Sequence, residues 1–328
     1  MTGPDAGPDA GAAVPGPAPG SAPGPVPGAA SRPPAGPAAL HTVEPGPYGI
    51  PVSLRHVLDG ALVAVKGGLR HIGALGTIRR EAVRAVAAAL PAAEASRVSG
   101  ALENVHRHAD TAQIEAVRTD LETRLRPFSR TVLHDVAGAL EPQGARLYLS
   151  GHLGIRVMPP QRSVGSGGGE LAGLEGFLTP RDAHVDSWFN TAVNSVNLWM
   201  AVGPVRSGNG LLFYPDAYRR PLRHDGHTLL PGQRIGAPVD IELEPGDILL
   251  FAGDHLHASQ PNATDETRFV ITKRLCVGVP RYPSRATGWV PYEDPRLWGT
   301  RWERWATWRS RLTPGGVRDA LRTARGRT

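Results

Sequence analysis

Lysine and cysteine are nearly missing from this 328-residue chain, which has two lysines, Lys66 and Lys273, and one cysteine, Cys276. A single cysteine excludes an intrachain disulfide framework and suits a reducing compartment. Its expected place is that of a small buried hydrophobe on a strand. With so few lysines, the 36 basic residues, set against 30 acidic ones for a net charge of +6, are almost all arginine. These arginines are scattered and form no basic run interleaved with aromatics, so a nucleic-acid partner is not expected. An acidic small-molecule partner remains compatible with the charge. No apolar stretch reaches the length of a membrane span. The opening MTGPDAGPDAG lacks a charged segment followed by an apolar run, so a soluble cytoplasmic protein without a membrane partner is expected.

Large apolar residues are also scarce from Met1 to about Pro47, where Pro, Ala and Gly dominate. Such a segment buries too little surface to offset its ordering entropy, and 1–47 is read as a disordered tail. Residues 48–328 are read as one domain: 48–145 mainly helical, 146–280 a sheet core, and 281–328 a C-terminal extension with a helix. In the helical part Ile78, Ala82, Val86 and Leu90 recur on one face, as do Ile114, Val117, Leu121 and Leu125. Pro91 and Pro127 are expected to mark helix boundaries.

After Ala145 the period shortens, with β-rich runs at 147–150, 153–158, 195–202, 211–214, 239–243, 248–252 and 269–277. Turn signals such as Glu244-Pro245-Gly246-Asp247 separate them. Helices followed by many short strands predict an α+β fold, a sandwich or barrel packed by N-terminal helices. The glycines of 165–169 lack the Lys-Ser/Thr of a phosphate-binding loop and read as a flexible connection or a mobile lid. Trp298, Trp302 and Trp305, with Trp308 close by, are expected to dock a last helix on the core.

His184 and Asp186 stand two apart in AHVDSW, so on an extended strand both project from one face and can grip one ion. Downstream, EPGDILLFAGDHLHASQPN carries His255 and His257 to the end of an apolar strand. Residue type does not separate these two, but the spacing to the next arginine in the chain favours His257. Two histidines and a carboxylate on one face of an iron ion leave adjacent positions open for co-substrate and dioxygen. Arg268, eleven residues beyond His257, can hold a remote carboxylate bidentately, with Ser259 as an additional donor.

The ordered set HVDSW, NLWMAVGPVRSGNGLLFYP and GDILLFAGDHLHASQPNATDETR resembles the phytanoyl-CoA dioxygenase branch of the iron(II)/2-oxoglutarate oxygenases, over roughly 147–279. The resemblance implies a double-stranded β-helix, or jelly roll, similar to the cupin barrel. It implies His184, Asp186 and His257 as iron ligands, Arg268 as the anchor of 2-oxoglutarate, and Ser259 as its hydroxyl partner. Asn209-Gly210 matches a structural turn. The chain departs from the family at Tyr214-Pro215-Asp216-Ala217, where Pro-Gly-Ser-His is usual. Family members that halogenate replace the carboxylate ligand by a small residue, so Asp186 implies hydroxylation or a related oxidation. The expected cofactors are Fe(II), 2-oxoglutarate and O2. The expected outcome is oxidation of a small molecule, in natural-product biosynthesis by family analogy, with release of succinate and carbon dioxide.

Asn197 and Trp199 share one face of the 195–202 strand and are expected to line the cavity beside the iron, or to serve as ordinary barrel packing. Arg156 and Arg274 are candidates for an anionic substrate. His152, His224 and His227 have no partner at ligand spacing, and His106 and His108 are expected at the surface. Two other classes stay open: a zinc-dependent hydrolase built on the same three ligands, which has no use for Arg268, and a non-catalytic cupin-like binding protein.

Overall fold

The computed structural model describes residues 40–140, 146–151, 153–164, 177–189, 191–283 and 292–303. Strand β1 (Leu40–Val43) is followed by helix α1 (Leu54–Leu58), β2 (Leu62–Val65), and helices α2 (Gly68–His71), α3 (Ala74–Ala89), α4 (Ala92–Val98) and α5 (Thr111–Leu140). Then come β3 (Leu147–Ser150), β4 (Gly154–Met158), β5 (Ser195–Ala201), β6 (Leu211–Phe213) and β7 (Val239–Asp240). The described strands close with β8 (Ile248–Ala252), β9 (His257–Ser259), β10 (Arg268–Val277) and β11 (Tyr292–Glu293). The order is the expected α+β one.

The strands form an eight-stranded sheet, ordered β1-β2-β8-β5-β10-β3-β11 with β4 also paired to β10, and a three-stranded sheet β7-β6-β9. Every residue of β5 and β8 is buried, as a strand covered on both faces must be. Alternation then sorts the side chains of β5, β8 and β10. Val196, Leu198, Met200, Ile248, Leu250, Phe269 and Ile271 join the core that the helices cover. Trp199, Ala201, Leu249, Phe251 and Val270 point the other way, into a second core shared with Leu211 and Phe213 of the small sheet. The site lies in this space between the two sheets, which do not close into a barrel among the described residues.

Helix α5 starts where it does because Asp110 and Gln113 satisfy each other's backbone amides, at 2.8 and 2.9 Å. Its buried stripe Ile114, Val117, Leu121, Leu125, Leu133 and Val136 lies on the sheet-side core. The expected break at Pro127 is absent, since the helix runs through it. Proline costs a helix interior about 3 kcal/mol, but Pro127 faces solvent, where water can satisfy the carbonyl left without a partner. The buried stripe continues on the other face, and its burial outweighs the loss.

Four other expectations change. The folded chain begins before Pro47, because Leu40–Val43 pairs in parallel with Leu62–Val65; residues 1–39 lie outside the described residues. The run expected at 239–243 is a strand over Val239–Asp240, although Ile241 and Leu243 are buried in the inter-sheet core. Trp298 packs on the helix-side core, whereas Trp302 is 49% exposed. His106 and His108 are half-buried, bonded to Thr267 Oγ1 (2.8 Å) and Glu94 Oε2 (2.7 Å). His152, residues 165–169, Trp305 and Trp308 fall outside the described residues. Cys276 is fully buried on β10, as expected.

Candidate metal centre

His184 and His257 face each other across an antiparallel bridge: His184 N donates to His257 O at 2.9 Å and His257 N to His184 O at 3.0 Å. Arg181 O accepts from Ser259 N three residues earlier on the same side (2.9 Å), so 181–184 runs beside β9. The bridge sets the imidazoles side by side, ring centroids 4.4 Å apart. Val185 is extended, at φ −114° and ψ 128°, and a tight turn begins at Asp186. The Asp186 amide donates to Gly253 O at 3.1 Å, which brings the carboxylate back beside the rings. One donor atom from each of His184, Asp186 and His257 lies within 4.8 Å of the others, and all three residues are buried.

The histidines are prepared for the same task. His184 Nδ1 meets Asp182 O at 2.7 Å and His257 Nδ1 meets His255 O at 3.0 Å. A carbonyl can only accept, so each Nδ1 carries the proton and each Nε2 keeps its lone pair. Burial, reinforced by the neighbouring His257, pulls the His184 pKa down to about 3. Burial likewise lowers that of His257. Both rings are therefore neutral ligands at neutral pH. For Asp186, burial acts to raise the pKa, but Arg274, the two histidines and an Asn197 hydrogen bond outweigh it and hold the carboxyl below its ordinary range.

Asn197 and Arg274 sit opposite each other on β5 and β10. Asn197 Nδ2 donates to Asp186 Oδ2 at 2.8 Å. Arg274 donates from Nε to Oδ2 at 3.3 Å and from Nη2 to Oδ1 at 3.1 Å. The Oδ1 atom also lies 3.7 Å from His184 Nε2. Both carboxylate oxygens are thus held from the large sheet, and Oδ1 also lies beside the His184 ring.

A cleft opens on these groups. Asn197, Trp199, Ser259, Arg156 and Arg274 all line it, together with Arg181, Leu211, Phe251 and Thr272. Arg268 is fully buried beside it, its guanidinium carbon 5.4 Å from the Trp199 ring centre. Its Nη1 donates to Asn209 O and to Gly210 O, the latter at 3.2 Å, so the turn read as structural also orients the arginine. Arg268 Nε and Nη2 have no partner among the described residues. Burial, then the nearby Arg156, lowers its pKa to about 9, which still leaves it charged at neutral pH.

The phytanoyl-CoA dioxygenase (PhyH) family model matches residues 63–270. The chain belongs to that family. His184, Asp186, His257, Ser259 and Arg268 all fall within the matched residues, and Arg274 lies four residues past their end. No curated protein matches the sequence. Among solved structures the chain is similar to SnoN, described as a non-heme alpha-ketoglutarate-dependent epimerase from nogalamycin biosynthesis. That match has 19% identity and a TM-score of 0.37, covering 70% of this chain and 85% of that one. It is also similar to ThoJ, a non-heme monooxygenase, at 16% identity and a TM-score of 0.39, over 78% and 92% of the two chains. The carbocyclase SnoK matches at 16% identity and a TM-score of 0.34, over 49% and 63%.

The structure separates residues that the sequence left together. His255 is buried away from the cluster, its Nε2 meeting Gly60 O at 3.0 Å and its ring 4.4 Å from that of Tyr218. His224 and His227 are exposed; His224 stacks on Trp188, and the His227 ring lies tilted against Phe189 at 5.2 Å. Arg274, expected to meet substrate, is instead paired with Asp186. Arg181 was not singled out from the sequence: it lies in an irregular segment with no periodicity to mark its direction.

Proposed function

We propose that this protein is an Fe(II)- and 2-oxoglutarate-dependent dioxygenase that hydroxylates a small-molecule substrate. The observation that carries this reading is the pair of unpartnered Arg268 nitrogens buried beside a His-Asp-His cluster. A buried donor without a partner costs about 1–3 kcal/mol. A carboxylate offered to Nε and Nη2 removes that cost and forms a bidentate charge-assisted pair. A hydrolase built on the same three ligands leaves these donors with no occupant.

In this reading His184 Nε2, Asp186 Oδ1 and His257 Nε2 would hold the iron. Bound there, iron(II) with 2-oxoglutarate and dioxygen supplies the oxidation of an unactivated C–H bond, with 2-oxoglutarate leaving as succinate and carbon dioxide. Arg268 fixes the distal carboxylate of the co-substrate, and Ser259, lining the same cleft, offers a hydroxyl to it. Trp199 covers one side of Arg268 and excludes water from the pair. Asn197 and Arg274 keep the Asp186 carboxylate turned so that one oxygen faces the ion. Asp186 supports hydroxylation over halogenation, because its carboxylate fills the position that a halide would need. The cleft walls fix which substrate carbon lies near the metal, so product identity follows from positioning.

The test is anaerobic addition of Fe(II) and 2-oxoglutarate to the full-length protein. The expected result is the weak visible charge-transfer band of the chelate, followed by succinate formation when oxygen is admitted. A wild-type protein that binds Fe(II) but gives no band, or an unchanged band in Arg268→Ala at limiting 2-oxoglutarate, overturns the reading.

A further inference from the structure

We infer that Arg156 is the receptor for an oxyanion group on the primary substrate, which makes that substrate an organic carboxylate, sulfate or phosphate monoester. The inference rests on the iron and 2-oxoglutarate reading of the same cleft and adds the substrate class to it.

Three guanidiniums line the cleft, those of Arg156, Arg181 and Arg274, and Arg268 lies buried beside it. They are not equivalent. Arg274 is committed to Asp186 through two hydrogen bonds. Arg268 is committed through Nη1 to the carbonyls of the 209–210 turn, and its remaining donors suit the co-substrate. Arg181 lies over the Phe189 ring at 4.3 Å. Arg156 has no hydrogen bond or ion pair among the described residues; its guanidinium carbon stands 5.5 Å from the centre of the Phe177 ring. That ring also faces Arg118 at 4.9 Å and so supplies a wall, not a counter-charge.

The placement of Arg156 follows from register. It pairs with Val270 on β10, so it lies between the level of Arg268, opposite Met158, and that of Thr272, opposite Gly154. Its side chain therefore projects into the inter-sheet space beside the metal cluster, where it joins the cleft lining. Burial, with the like charge of Arg274, pulls its pKa only to about 10, so it stays protonated at neutral pH. An anion brought to this half-buried cation gains a charge-assisted contact.

The experiment uses the full-length protein with Fe(II) and saturating 2-oxoglutarate under anaerobic conditions. It is titrated separately with acetate, sulfate and methyl phosphate, and with neutral dimethyl sulfone, at an ionic strength held constant by chloride. The chelate band and intrinsic tryptophan fluorescence are both followed, since Trp199 lines the cleft. The expected result is a saturable response to at least one oxyanion and none to dimethyl sulfone. Half-saturation should rise at least tenfold in Arg156→Met and recover in part in Arg156→Lys, with the 2-oxoglutarate requirement unchanged in both. Which anion responds distinguishes a planar carboxylate from a tetrahedral group. The inference is overturned by the absence of any saturable oxyanion response, or by an equal response in Arg156→Met. It is also overturned if Arg156→Met raises the 2-oxoglutarate requirement as Arg268→Ala does, which assigns Arg156 to the co-substrate. Absence of the band in wild type sinks the iron reading instead, and fluorescence still scores the oxyanion site.

Discussion

Arg274 grips Asp186 with two nitrogens, Nη2 at 3.1 Å from Oδ1 and Nε at 3.3 Å from Oδ2, while Asn197 donates to Oδ2 at 2.8 Å from the neighbouring strand. This contact ties a residue of the small-sheet side to the centre of the large sheet. It lowers the conformational freedom of the carboxylate before any ion arrives, and it keeps the carboxylate ionised.

Removing these supports is expected to weaken metal binding without removing it. Partners of metal ligands contribute about 10–100-fold in affinity, and Arg274→Met and Asn197→Ala should fall in that range. Titration with Co(II), whose absorption reports ligand geometry, measures both the affinity and the altered site. Arg274→Lys should recover part of the loss. Wild-type affinity and spectrum in Arg274→Met count against a positioning role.

The co-substrate anchor makes a second prediction. Arg268→Ala should raise the 2-oxoglutarate concentration for half-saturation by at least about thirtyfold, the equivalent of about 2 kcal/mol for truncating one partner of a buried charge pair. Gly210→Ala should act in the same direction. A Cβ there meets Ile241 O at 2.7 Å, which forces the 209–210 turn, and with it the carbonyls that hold Arg268, to move. Titration of the chelate band measures both variants, and an unchanged midpoint in Gly210→Ala separates the turn from the anchor.

His255 and His257 should respond in opposite ways. His257→Ala is expected to abolish Fe(II) binding with little change in the thermal midpoint of the metal-free protein. His255→Ala removes a fully buried ring packed on Tyr218 and leaves Gly60 O without its partner. It should therefore destabilise by roughly 2–4 kcal/mol while metal binding survives at temperatures where the protein is folded. Calorimetry with and without Fe(II) tests the pair, and loss of metal binding in folded His255→Ala contradicts the assignment.

Lys273 gives the pH prediction. It is 2% exposed on β10, and burial pulls its pKa to about 8. An unfolded lysine titrates near 10.4, so between about pH 8 and 10.4 the unfolded chain holds the extra proton. Stability from this residue therefore rises with pH through that window, and below about pH 8 the full penalty applies. Lys273→Met should stabilise the protein at pH 7, by up to roughly 3 kcal/mol, and the gain should vanish by about pH 10.5. Thermal midpoints of both proteins across pH 6–10.5 measure the difference. A gain that does not change with pH rules out titration as the cause.

The sequence alone was enough for the residue types, the strand order around the site, and the ordered set from His184 to Arg268, because a two-residue period and short turns are local properties of the chain. It also put Asn197 and Trp199 on one face of their strand, since alternation fixes which residues share a face once the strand is known. Alternation does not fix the partner. Only tertiary structure decided that Arg274 pairs with Asp186 while Arg156 has no hydrogen bond or ion pair among the described residues, because those contacts depend on register between strands far apart in the chain. The same holds for His255 and His257. Their types are identical, and the bridge that pairs His257 with His184, together with the approach of Gly60 to His255, separates them. Pro127 shows the converse: local chemistry favoured a helix end, and a buried stripe packed on the distant sheet overrode it.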